Sequence, residues 1–189
     1  MKEVIEKAME WALKEIKTND TPSIVHFHLG NSKGQELAEK LNADKDIIML
    51  GTILMDVKLG ECFKEGKLEE HIDRSAQATK KFLEKFDINE EKKKKIINCV
   101  EAHHGGKFIC KEAEICANAD CYRFLHPLGI FAYFELIGKR FNDISKSLEL
   151  AEKKLEEKHK ILTLDICKKE LEPYYRTFKE LFEKARSEK

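Results

Sequence analysis

The chain has 189 residues, 42 % of them apolar, and balances 35 Lys+Arg against 35 Asp+Glu. That length suits one domain with a packed core. Zero formal net charge excludes a general electrostatic pull towards nucleic acid or anionic lipid, and no window approaches the ~20 consecutive apolar residues of a membrane span.

Apolar residues recur at helical spacing along nearly the whole chain. Val4, Ile5, Ala8, Met9, Ala12, Leu13 and Ile16 make the stripe of a first helix, which should stop at the turn chemistry of Thr18–Asn19–Asp20–Thr21–Pro22. Further helices are predicted over residues 32–41, 46–57, 68–86, 90–104 and 111–124. Asn89 offers an N-cap before Glu90 and Glu91, and Gly105-Gly106 a C-terminal stop. The run Lys92–Lys95 is the solvated face of a helix.

From about Asn142 the composition turns Lys/Glu-rich, with thin apolar stripes of Leu148 and Leu155, then Ile166, Leu171, Phe178, Leu181 and Phe182. Two helices over 145–160 and 163–189 are expected, the second kinked or divided at Pro173. The expected fold is all-α: residues 1–142 form the main helical domain, and 143–189 a helical extension packed on it. Phe131-Ala132-Tyr133-Phe134 with Leu136-Ile137 reads as core, the alternative being a homodimer face.

Charge runs through the opening MKEVIEKAMEWALKEIK, so a cytoplasmic protein is expected, with Cys62, Cys99, Cys110, Cys116, Cys121 and Cys167 reduced. No phosphate loop, GxGxxG, CxxC or Gly-x-Ser-x-Gly elbow occurs. What remains is a distribution of histidines and acids. His26 and His28 sit where a helix should begin, and Asp56 ends a very apolar segment. His71 lies early in the next helix, His103-His104 close another, and Asp120 lies among apolar residues. An acid in such surroundings needs a cation or a metal. Each histidine alone reads as a surface or capping residue, as His126 and His159 do. Jointly, imidazoles and carboxylates from several packed helices suit Mn, Fe, Co, Ni or Zn.

The pattern resembles the HD-domain phosphohydrolases, a helical superfamily named for a metal-binding His-Asp dipeptide. The likeness runs from about His26 to Phe131. It comprises His28 with Leu37-Ala38 and Leu41, then Ile53-Leu54-Met55-Asp56-Val57-Lys58, and Glu70-His71-Ile72-Asp73-Arg74-Ser75-Ala76. Ile97 to His103-His104 and Asn118-Ala119-Asp120 follow, with Leu125, Leu128, Gly129 and Ile130 similar to the small-hydrolase branch.

Met55 stands in place of the signature His and Asn118 in place of an Asp. A thioether is a poor ligand for hard or borderline divalent ions. The resemblance implies a metal held by His28, Asp56 and Asp120, with His71 and His103 adding to it or supporting a second ion. The ion is Mn, Fe, Co, Ni, Zn or Mg. Residues two apart point to different sides of a helix, so His28 is the expected ligand and His26 a cap.

Asp56, Lys58 and Asn118 are the expected catalytic group, and Lys58, Arg74, His104 and Arg123 would contact substrate. The implied activity is metal-assisted hydrolysis of a phosphoester or phosphoanhydride in a small, nucleotide-like substrate. The alternative is a degenerate HD fold that binds a ligand or partner. Asp56 and Asp120 decide between them: carboxylates arranged around an ion favour the enzyme, and a hydrogen-bonded cluster favours the binder.

Overall fold

The computed structural model describes residues 1–187, and among these every regular element is helical. The order is α1 Lys2–Asn19, α2 Ile24–Lys40, α3 Lys45–Leu54, α4 Leu59–Glu65, a 3-10 turn Leu68–Glu70, α5 His71–Leu83, α6 Glu90–Glu101, α7 Lys111–Leu125, α8 Pro127–Phe141, α9 Ile144–Ile161 and α10 Asp165–Ser187. Among the described residues no helix is long and apolar enough to cross a membrane.

Local chemistry fixes the starts. The side chains of Ser23, Asp44, Asn89 and Asp143 each accept a backbone N–H at the head of α2, α3, α6 and α9. Pro127 opens α8 at a position whose N–H has no helical partner anyway. Asp20 and Asn142 end α1 and α8 in the left-handed region, as Gly66 does for α4.

Several boundaries differ from the sequence expectation. Helix α2 starts at Ile24, not near 32, because the Ser23 cap recruits eight earlier residues, His26 and His28 included. Helix α3 stops at Leu54, and a turn carries Asp56 to the short α4, which had no apolar stripe to announce it. Helix α10 runs through Pro173 without division. Its expected reach to Lys189 falls partly on residues 188–189, outside the described residues.

Helix α7 is the axis of the bundle: from Ile115 to Leu125 every residue is buried. It packs against α2, α3, α6, α8, α9 and α10. Gly51 of α3 permits a close approach to α6 and α7, since a Cβ there would lie 2.5 Å from Cys99 Cβ and 2.8 Å from Cys116 Sγ. Helix α9 lies on α7 and α8, and α10 on α7 and α9. Ala132 and Ile137 of α8 are core, whereas Phe131 is 64 % exposed, its ring edge-on to Phe178.

Candidate functional site

The end of α3, the start of α5, the end of α6 and the middle of α7 meet at one place. Asp56 lies in the turn after α3, His71 opens α5, and His103 and His104 follow α6. Asp120 and Arg123 stand one turn apart on α7, so both point the same way. Helix α9 adds Lys154 and Lys158.

The two carboxylates are bound to cations of the chain itself. Arg123 Nη1 donates to Asp56 Oδ2 at 2.6 Å and to Asp120 Oδ1 at 2.7 Å. Lys158 Nζ donates to the other oxygen of Asp120 at 2.5 Å. Asp120, Arg123 and Lys158 are almost wholly buried and Asp56 nearly so. Burial would raise the Asp56 and Asp120 carboxyls, but Arg123 holds the first, and Lys158 with Arg123 the second, well below the usual carboxylate range. Two negative and two positive charges therefore compensate one another inside the bundle.

The implied metal fits one part of this centre and not the other. Between Asp56 and Asp120 the guanidinium already supplies the cation. Beside it, His71, His103 and His104 each present a ring nitrogen, and the three lie within 4.8 Å of one another. Asp56 Oδ1, the oxygen Arg123 leaves free, is 3.5 Å from His103 Nε2 and 3.8 Å from His71 Nε2.

Two of the rings are oriented from behind. His71 Nδ1–H donates to the Leu68 carbonyl at 2.6 Å, and His103 Nδ1–H to the Val100 carbonyl at 2.7 Å. In a neutral ring this turns the Nε2 lone pair inward, as metal-binding histidines require. His103 Nε2 is fully buried and, among the described residues, makes no hydrogen bond, Asp56 Oδ1 standing 3.5 Å away. Such an orphan costs about 1–3 kcal/mol unless something occupies the site. Burial lowers the His71 pKa and pushes that of His104 down to about 2, so both rings are neutral ligands at pH 7.

The remaining expectations are corrected by position. His28 is exposed on α2 and touches the ring of Phe27. Once α2 starts at Ile24, residue 26 faces α7 and α8 and residue 28 is turned about 200° away. His26 is accordingly buried: its Nε2–H donates to the Gly129 carbonyl at 2.8 Å, and its ring packs edge-on to Phe124. Burial, with Arg123 nearby, lowers its pKa to about 4.

Asn118 does not face the site. Its carboxamide accepts the N–H groups of Thr163 and Leu164 and donates to Thr163 Oγ1, clamping the turn between α9 and α10. Lys58 pairs with Glu61 and Glu15, and Arg74 with Glu61, Glu65 and Glu70. These acids neutralise both cations on the flank formed by α1, α4 and α5. Arg123, expected to contact substrate, is the bridge between the carboxylates.

Two residues escaped the sequence reading: Lys154 and Lys158. Lys158 left a signal, since it continues the apolar stripe of Ala151 and Leu155 at helical spacing. A lysine on a buried face implies a buried acid to meet it.

The centre lines one end of a cavity of about 240 Å³. Asp56, His71, His104, Asp120, Arg123 and His26 form its polar end. Phe63, Phe124, Leu136, Ile137, Phe141 and Leu150 form apolar walls, with Lys154 and Arg140 among them.

No protein-family model matches the chain, and no curated protein matches it. Two solved structures do. One is an HD-superfamily hydrolase from Bacillus thuringiensis, at 19 % identity with a TM-score of 0.67, covering 99 % of this chain and 97 % of that one. The other is a predicted HD superfamily hydrolase from an uncultured Thermotogales bacterium, at 14 % identity with a TM-score of 0.66, covering 97 % of this chain and 91 % of that one. With matching helices over nearly the full length of both, the chain has the fold of the HD-superfamily hydrolases.

Proposed function

We propose that the protein is a metal-dependent hydrolase of small phosphate esters, with one divalent transition ion held by Asp56 Oδ1, His71, His103 and His104. The reading rests on the inward-facing, unpartnered Nε2 of His103 beside an Asp56 oxygen that Arg123 leaves free. Both solved relatives are named as hydrolases of this fold. A bound divalent ion supplies a water of lowered pKa and charge neutralisation at phosphate.

The chain's own residues do the rest. The Leu68 and Val100 carbonyls lock two imidazoles with their lone pairs inward. Arg123 fixes the rotamer of Asp56 and replaces, with Lys158, a second cation. Net hydrolysis adds one water across the ester P–O bond, the alcohol oxygen leaving with a proton and phosphorus keeping the hydroxyl.

Elemental analysis of wild type beside His103→Ala and Asp56→Asn tests this. About one equivalent of Mn, Fe, Co, Ni or Zn in wild type, lost in both variants along with phosphoesterase activity, is the expected outcome. Wild type that stays metal-free after incubation with excess ions overturns it. That result favours the second reading, a ligand-binding HD fold without catalysis, for which the Arg123 bridge between Asp56 and Asp120 is the specific observation.

A further inference from the structure

The cavity is built of two unlike halves, and their chemistry narrows the substrate. At the polar end Asp56, Asp120, Arg123 and Lys158 already balance, and Lys154 is paired with Glu157 at 2.8 Å. A divalent ion on the histidines, added to the Arg140 guanidinium that bonds the Asp20 carbonyl and Thr21 Oγ1, therefore leaves the cavity with excess positive charge. A phosphomonoester, close to a dianion at neutral pH, answers that excess better than a singly charged diester.

Beyond the polar end the walls are mostly apolar, with Phe63, Phe124, Leu136, Ile137 and Leu150 unable to read the edge of a nucleobase and Tyr133, Arg140 and Lys154 as their polar members. A volume of about 240 Å³ compares with the roughly 150 Å³ that encloses a benzene molecule. It suits a phosphate joined to a phenyl ring or a chain of about six carbons.

We infer that the cavity selects phosphomonoesters with an apolar alkyl or aryl body over nucleotides. The inference rests on the hydrolase reading for its charge balance, and on the cavity walls alone for its apolar preference.

Calorimetric titration of the full chain, both manganese-loaded and chelator-treated, with hexyl phosphate, phenyl phosphate, methyl phosphate and AMP separates the possibilities. Hexyl and phenyl phosphate should bind at least tenfold more tightly than methyl phosphate or AMP. Phe63→Ser, at a wall residue already 38 % exposed, should shrink the hexyl-to-methyl ratio at least fivefold. Leu136→Ser serves as a second wall variant should Phe63→Ser not fold.

AMP binding as tightly as hexyl phosphate would overturn the inference and leave the hydrolase reading intact. Failure of both to bind in either form would also overturn it. Preference for hexyl phosphate in a protein that takes up no metal would keep the cavity assignment and sink the hydrolase reading.

Discussion

Arg123 is the residue on which the centre turns. One guanidinium nitrogen bridges two buried carboxylates that would otherwise repel each other. Arg123→Ala should lower the stability of metal-free protein by about 3–5 kcal/mol, the scale for breaking a buried ion pair, as read from urea denaturation. The freed carboxylates should then take up an ion of their own, raising bound manganese from one equivalent towards two by elemental analysis. Unchanged stability would mean that the bridge is incidental. The sequence exposed part of this. Asp56 and Asp120 are recognisable as acids in apolar surroundings, but their partner is three residues from one and 67 from the other, and only the second distance needs the fold. The choice between His26 and His28 depended on where α2 starts, which the capping Ser23, just ahead of both, decided.

At the scale of elements, two contacts set how the helices meet. Asn118 holds the α9–α10 turn through three hydrogen bonds from α7. Asn118→Ala should cost about 1–3 kcal/mol by leaving the Thr163 and Leu164 N–H groups without their acceptor, while metal content stays at the wild-type level; loss of metal would return Asn118 to the active centre. Gly51 sets the spacing of α3 from α6 and α7. Gly51→Ala should destabilise by about 1–3 kcal/mol through overpacking against Cys99 and Cys116, and thermal denaturation checks it. The stripe of α1 was legible because it buries one regular helical face, whereas α7 is buried all round from Ile115 to Leu125. Helix α4 and the turn holding Asp56 were not legible, since a seven-residue helix offers barely two turns of pattern.

For the molecule as a whole, the buried titratable groups give stability a direction with pH. His26 has a folded pKa near 4 against an ordinary 6.5, so the unfolded chain binds the extra proton between those values. Its contribution is present above pH 6.5 and is lost as pH falls through 4, on the order of 3 kcal/mol in total. The depressed carboxyls of Asp56 and Asp120 act the same way below the ordinary carboxylate range. Chelator-treated protein should therefore lose urea resistance steadily from pH 6.5 downward, and His26→Gln should flatten the slope between 6.5 and 4; an unchanged slope would place the acid sensitivity elsewhere. The sequence by itself determined an all-helical chain and most of the side chains that gather at the centre, because helical periodicity and buried-acid chemistry are local properties of composition and spacing. Only the tertiary structure decided which histidine faces inward, that Arg123 and Lys158 take the role of a cation, and that α9 completes the site. Those outcomes depend on helix phase and on contacts between residues far apart in the chain, which a linear pattern does not carry.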